Sequence, residues 1–267
     1  MDNINKKSCL CVAKLHKPVF HLQTGKTHSC CHTTPHKINI EEIKKDPSKL
    51  HNTHENKLNR EKLLKNIPVS DCNHCWNIEK NNGFSKRHFY NNKILTEEKL
   101  KEIEENKDVI PESVEVSFSN KCNFKCGYCS PELSSRFYNE IKQNGKYNDV
   151  YQHSCDISNI SFYDEDENPY IEAWKKWWPE LKKRLKTLKI TGGEPLLHKS
   201  TYNIFNDLSD ETKKINLSCN TNLGVPHKNV KKLVDILNNK KEYLNDFTLY
   251  VSIDTWEKRN EYTRYGL

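Results

Sequence analysis

The stretch "NKCNFKCGYCS", residues 120–130, sets Cys122, Cys126 and Cys129 directly after the apolar alternation "VEVSF" of residues 114–118. Alternation of this period is that of a half-buried strand, so the three thiols stand on the loop that leaves it. Three is an informative number, because a closed structural metal site takes four protein ligands. Three thiolates on a four-iron cluster leave one iron without a protein ligand, and an open position is the usual arrangement of a reactive metal site.

Outward from this loop the pattern repeats. Short apolar runs follow as "LKIT" at 188–191, "INLSC" at 215–219 and "FTLYVSI" at 247–253, separated by helical segments at 131–142, 199–209 and 227–240. The last three runs begin roughly 30 residues apart, the length of one βα unit. Strands alternating with helices imply a parallel sheet or a barrel. The gap after the first run is longer. It holds the acidic turn "DEDENP" and the stretch "YIEAWKKWWPELKKRLK", in which Trp174, Trp177, Trp178, Leu181 and Leu185 share one helical stripe. Packing against the sheet is the reading of that stripe. The basic "KKRLK" of 182–186 takes the polar positions of the same helix, a solvated face.

Bulk composition excludes several classes. The 267 residues carry 43 Lys and Arg against 36 Asp and Glu, a net charge of +7, with both signs interleaved along the chain. Nucleic-acid binders concentrate their basic residues in a patch, so nucleic acid is not an expected partner. The N-terminus "MDNINKKSCLCVAKLHKP" lacks the apolar core of a signal peptide, and no stretch approaches the roughly 20 apolar residues of a membrane span. A cytoplasmic protein is expected. Eleven cysteines, an odd number, in a reducing compartment point away from disulfides. Nine of them are grouped, as Cys9 with Cys11, Cys30 with Cys31, Cys72 with Cys75, and the trio, which points to metal.

"CNFKCGYC" is a CxxxCxxC motif with Tyr128 before its last cysteine, and "TGGEP" at 191–195 closes the next apolar run. Together they resemble the radical S-adenosylmethionine (SAM) enzymes. The resemblance implies a partial (β/α) barrel with a 4Fe-4S cluster on Cys122, Cys126 and Cys129, whose open iron is chelated by SAM. One electron then cleaves SAM to a 5′-deoxyadenosyl radical, which abstracts hydrogen from the substrate. By the same resemblance Gly192, Gly193, Glu194 and Pro195 line the cofactor, the glycines for close backbone approach and the Glu194 region for the SAM amino group. Softer matches are Asn222 in "CNTNLG", Ser252 and Asp254 in "VSID", and Arg264 in "EYTRYG", each open to an ordinary loop role. Against the cluster stands a zinc site borrowing His153 or Cys155 as fourth ligand, which explains neither GGEP nor the βα repeat.

Cys11, Gly25 and Cys30 read C-x13-G-x4-C, and "CNHC" follows at 72–75. This resembles the SPASM/twitch module of the same superfamily, here preceding the barrel, and implies an auxiliary 4Fe-4S cluster on Cys11, Cys30, Cys72 and Cys75. Cys9 and Cys31 are alternative ligands, and a four-cysteine zinc ribbon is the alternative site. Cys155 and Cys219 are taken as a spare thiol and a buried strand residue. Three segments are expected: a cysteine-rich module at 1–95 with one helix near 55–66 and little core of its own, a helical connector at 96–112 begun by Thr96, and a radical SAM core at 113–267. That core counts four strands where the family has six, so a fragment, or completion by a partner, is expected. The resemblance favours a peptide or protein substrate, with a small molecule as alternative, and an electron donor such as flavodoxin or ferredoxin. A non-catalytic zinc-binding interaction protein and a radical SAM enzyme acting on RNA are the competing functions.

Overall fold

A computed structural model describes residues 8–106, 108–146, 156–212, 214–255 and 258–266 of the chain. His153 and Cys155, weighed above as zinc ligands, lie outside these residues. The strands are β1 (Val19–His21), β2 (Lys26–His28), β3 (His36–Lys37), β4 (Ser113–Ser117), β5 (Lys125–Cys126), β6 (Thr187–Thr191), β7 (Ile215–Thr221), β8 (Leu244–Val251) and β9 (Arg264–Tyr265). Seven of them form one sheet in the order β3-β2-β1-β4-β6-β7-β8, and β5 pairs with β9. From β1 through β8 the sheet is parallel, and only the β1–β2–β3 end is antiparallel. This is a mixed α/β architecture consistent with a partial radical SAM barrel.

The helices are α1 (Val12–His16), α2 (Ile40–Lys45), α3 (His54–Leu64), α4 (Asn73–Lys80), α5 (Lys86–Ile94), α6 (Glu97–Glu105), α7 (Ser135–Asn144), α8 (Pro169–Leu181), α9 (Lys199–Asn206), α10 (His227–Lys240) and α11 (Arg259–Thr263). Period-two alternation splits the sheet into two faces. Val114, Val116, Leu188, Ile190, Leu217 and Cys219 are buried in the main core with Trp174, Trp177, Trp178 and Phe205 from α8 and α9. The residues between them, Glu115, Lys189, Ser218 and Asn220, take the other face. Asn168 caps α8 by accepting from the Tyr170 and Ile171 amides, and its Nδ2 donates to the Leu22 carbonyl at 3.0 Å. The helix ends at Leu181, two residues past Pro179, so "KKRLK" is not a helix face: Leu185 and Lys182 are buried, the latter with its ammonium on Asp207.

The N-terminal third has more helices than the one expected, and it has little core of its own because its apolar residues join the main one. Helices α1, α2, α4 and α5 accompany α3, and Phe20, Leu22, Ile38, Ile43 and Leu50 belong to the same core as α8. Phe20 meets Trp174 edge-on at 5.8 Å. Leu10 and Leu15 pack separately on Leu100 and Ile103 of α6. β1 hydrogen-bonds to β4, so the stretch before residue 95 extends the sheet rather than hanging from it. The glycine of the C-x13-G-x4-C motif has a local reason. Gly25 turns the β1–β2 hairpin at φ +63°, and a Cβ there would fall 2.0 Å from the Tyr170 ring.

Candidate metal and cofactor site

The trio occupies a loop held on three sides. Gly193 donates its amide to the Ser119 carbonyl and Glu194 to that of Lys121, at 2.9 and 2.8 Å. The Ser135 hydroxyl, opening α7, accepts from the Cys122 amide at 3.1 Å. From the chain's far end, β9 pairs Arg264 with Cys126 and Tyr265 with Lys125. Gly-Gly in "TGGEP" has a local steric reason beside the close ligand approach expected of it. A Cβ on Gly193 would meet the Lys121 carbonyl oxygen at 2.4 Å, and one on Gly192, at φ +124°, would meet the Ser117 hydroxyl at 2.6 Å. The glycines let the end of β6 seat the cysteine loop.

Cys122, Cys126 and Cys129 open on a cavity of about 320 Å³ whose walls also include Tyr128, Gly192, Gly193, Asn222, Ser252 and Arg264. Burial pushes the Cys129 thiol up to about 11, and repulsion from Cys126 and Cys122 adds to it. Cys122 and Cys126 are likewise raised by burial, Cys126 being partly offset by Arg264. Three thiols that sense one another around one cavity suit a cluster that takes one thiolate per iron. Among the described residues no three His, Cys, Asp or Glu side chains close on a single ion-sized point. That is a different demand from a cubane's, whose ligands stand on separate corners.

Three predicted residues, Glu194, Pro195 and Asp254, sit outside or behind the cavity wall. Glu194 is 1% exposed, and its carboxylate accepts from the Thr221 hydroxyl (2.7 Å) and from the Asn222 and Leu196 amides (2.7 and 3.0 Å). Burial raises its pKa, while those three donors favour the anion. The carboxylate therefore ties β6 to β7 and is not brought to the wall. Pro195 is buried at the start of a 3-10 turn. Asp254 accepts from the Tyr128 hydroxyl (3.1 Å) and pairs with Arg264 (2.9 Å), whose Nη1 stands 3.8 Å from Cys126 Sγ. Asp254 thus positions Arg264 and Tyr128, two wall residues. Asn222 does line the cavity, its Nδ2 donating to Asn123 Oδ1 at 3.0 Å and facing Cys122 Sγ at 3.8 Å.

Sequence reading missed His21, Glu115, Lys189 and Asn220, all of them wall residues. Their signal was the polar half of each strand alternation, which marks the face turned from the core. Glu115 and Lys189 pair across β4 and β6 at 3.2 Å. These two and Asn220 also line a second cavity of about 500 Å³, reaching Lys17, Cys30, Cys31, Lys86 and Tyr90. One polar sheet face thus runs between the cysteine trio and the N-terminal cysteines.

Those N-terminal cysteines come from three segments. Cys11 precedes α1, Cys30 and Cys31 follow β2, and Cys72 and Cys75 open α4. His32 and His74 lie with rings 4.2 Å apart, joining the second segment to the third. Arg87 of α5 donates to the Ser8 and Leu10 carbonyls and pairs with Glu79 of α4, joining the first to the third. Burial, then repulsion from Cys11 and Cys75, pushes Cys72 up to about 12. Cys11 is raised by burial and by Cys75, and Cys30 by Cys31, by burial and by Cys11. Cys31 is lowered to about 5 by the Cys30 hydrogen bond, against burial, with His32 and Lys86 assisting. Cys9 packs beside Leu63, Val69 and Cys72. Cys219 is fully buried in β7.

Residues 116–265, more than half of the chain, match the model of the Radical SAM superfamily, and the chain belongs to that superfamily. Membership implies an iron–sulfur cluster and SAM. No curated protein and no solved structure matches the chain. Among the described residues no helix is long and apolar enough to cross a membrane.

Proposed function

We propose that the chain is a radical SAM enzyme holding a 4Fe-4S cluster on Cys122, Cys126 and Cys129, with a second, twitch-like 4Fe-4S cluster on Cys11, Cys30, Cys72 and Cys75. The observation that carries this is the convergence of the three thiols, Gly192, Gly193, Asn222, Ser252 and Arg264 on one cavity. Bound cluster and SAM would supply the electron and the hydrogen-abstracting radical. The chain's own residues hold and orient. Arg264, fixed by Asp254 and lying 5.3 Å over the Tyr128 ring, offers a cation for the SAM carboxylate. Asn222 and Ser252 offer polar groups on the same wall.

The substrate favoured is a peptide or protein, on the resemblance of the N-terminal cysteines to SPASM/twitch modules. The polar face from the trio to Cys30 and Cys31 supports it, since an extended segment has room along Glu115, Lys189 and Asn220. A flavodoxin or ferredoxin is the class of electron donor.

The test is iron, sulfide and zinc content after anaerobic reconstitution, for wild type and a Cys122/Cys126/Cys129→Ala variant. About eight irons falling to about four is the expected result for two separate 4Fe-4S sites. Zinc in place of iron would instead make this a metal-stapled interaction protein. Salt-sensitive RNA binding would move the substrate to nucleic acid.

A further inference from the structure

The cavity of about 500 Å³ takes Ser113 and Thr187, the first residues of β4 and β6, into its wall, whereas the trio's cavity takes Thr191 and Gly192 at the far end of β6. From Thr187 to Thr191 is ~13 Å of strand. Glu115, Lys189 and Asn220 belong to both walls, so the two cavities meet on one polar face.

The charges on the wall of the larger cavity do not cancel. Lys17, Lys86 and Lys189 stand against one carboxylate, that of Glu115, and Lys189 takes it at 3.2 Å. Lys17, half-buried between α1 and β1, holds its ammonium 4.7 Å over the Tyr90 ring, and Tyr90 lines the same cavity. Lys86, at the start of α5, faces Cys31 Sγ at 3.7 Å. Among the described residues neither lysine has a carboxylate partner. An ammonium drawn part of the way out of water is ordinarily met by an anion. The Tyr90 ring attracts the Lys17 cation and fixes its place, but it brings no negative charge.

We propose that this end of the polar face is an anion subsite for the substrate, where Lys17, with Lys86 beside the same cavity, receives a carboxylate of the peptide. The inference rests on the peptide reading above and deepens it. At neutral pH the anions of an unmodified peptide are its Asp and Glu side chains and its C-terminal carboxylate. A carboxylate has two acceptor oxygens, so it can take an ammonium on each, and charge-assisted hydrogen bonds of this kind are the strong ones. Held there, an extended peptide running past Glu115 and Asn220 brings a residue about four positions away to the cavity of the trio. The carboxylate thus sets which residue of the substrate meets the reactive end, through binding energy taken up away from the chemistry.

The test is equilibrium dialysis of three radiolabelled probes against the full, reconstituted chain at low salt. They are acetyl-Glu-Gly-Gly-amide, its Gln counterpart, and acetyl-Gly-Gly-Gly with a free carboxylate. At least one carboxylate probe is expected to bind about tenfold tighter than the Gln probe, and the better of the two names the source, side chain or C-terminus. Lys17→Gln is expected to erase that preference, Lys17→Arg to keep it within about threefold, and Lys86→Gln to reduce it about threefold. Lys228→Gln, an exposed lysine of α10 on neither wall, controls for the overall positive charge and should change nothing. Thermal melts and iron content show that each variant folds and loads. Equal retention of the three probes, retention of none, or a preference lost as readily in Lys228→Gln would overturn the proposal. So would a Lys17→Gln protein that keeps the preference but shifts the reduction potential of the N-terminal cluster, since Lys17 would then be a counter-charge to that cluster. An iron-loaded protein that cleaves SAM and shows no preference would sink this inference and leave the proposed function standing. A zinc-loaded protein that shows it would sink the proposed function and leave the anion subsite.

Discussion

At Gly193 one methyl group decides whether the cysteine loop can seat. The missing Cβ leaves room for a backbone carbonyl, that of Lys121, which cannot swing aside as a side chain can. Gly193→Ala should therefore lower the iron bound at the trio while leaving the N-terminal group loaded, at a cost of about 1–3 kcal/mol in stability. Iron content with a denaturant melt checks both halves. Asp254 carries a pH signature. Burial pushes its carboxyl up, but Arg264 and the Tyr128 and Thr263 hydroxyls outweigh that and hold it below the usual carboxylate range. A depressed pKa adds stability that is present above about pH 4 and lost as pH falls through the folded value. Asp254→Asn should melt lower than wild type at neutral pH, and the two curves should converge in acid. The wall residues were legible unevenly in the sequence. Cys122, Cys126 and Cys129 stand out because thiols at that spacing have few other uses, and Arg264 because a family motif covers it. His21 shows in the sequence only as a polar residue closing β1, and its meeting with His28 across the hairpin depends on strand pairing that is not written in either strand alone.

Among the elements, the four core strands were read within a few residues, since apolar alternation is set by the same burial that forms them. The helices α4 and α5 were not. Their stretches, "NHCWNIEK" and "KRHFYNNKI", lack a clean apolar stripe, and an ion pair joins them: Arg87 on Glu79, with the Leu10 carbonyl as a further acceptor. The joint between α6 and the sheet depends on a similar group. Glu112 lies just before β4, its carboxylate on Lys99 of α6 and, at 3.0 Å, on Lys186 before β6, while its carbonyl accepts the Lys186 and Thr187 amides. Burial raises its carboxyl, yet the two ammonium groups overcome that and bring it to about 2. Its contribution is complete above the ordinary value and lost only as pH falls toward about 2. Glu112→Gln strands Lys99, which is 8% exposed. It should cost about 2 kcal/mol at neutral pH. Only at about pH 2 and below should the variant and wild type become equally stable. Urea titrations at three pH values check the sign.

Over the whole molecule, the expected boundary near residue 95 meets a sheet that crosses it. β1 pairs with β4 through Val19–Glu115, Phe20–Val116 and His21–Ser117, and Asn168 reaches back to the Leu22 carbonyl. Phe20 and Leu22, both fully buried, lie in the core that α8 closes, and Phe20 meets Trp174 and Trp177 at 5.8 and 6.3 Å. Deleting one such side chain costs about 2–5 kcal/mol, and domains of this size are stable by only about 5–15 kcal/mol. Removing residues 1–95 would take Phe20, Leu22, Ile38, Ile43 and Leu50 from that core at once and bare the hydrogen-bonding edge of β4. The fragment 96–267 should then show no cooperative melt by circular dichroism and should elute as aggregate on gel filtration. Phe20→Ala in the full chain should fold but melt lower, by about 3 kcal/mol. A monomeric fragment with a sharp melt would mean that β4, β6, β7 and β8 with their helices suffice, and that the N-terminal third is a separable module after all. The expected failure would place the two cysteine groups on one cooperative unit, in which the N-terminal group cannot be lost without the frame that holds the trio.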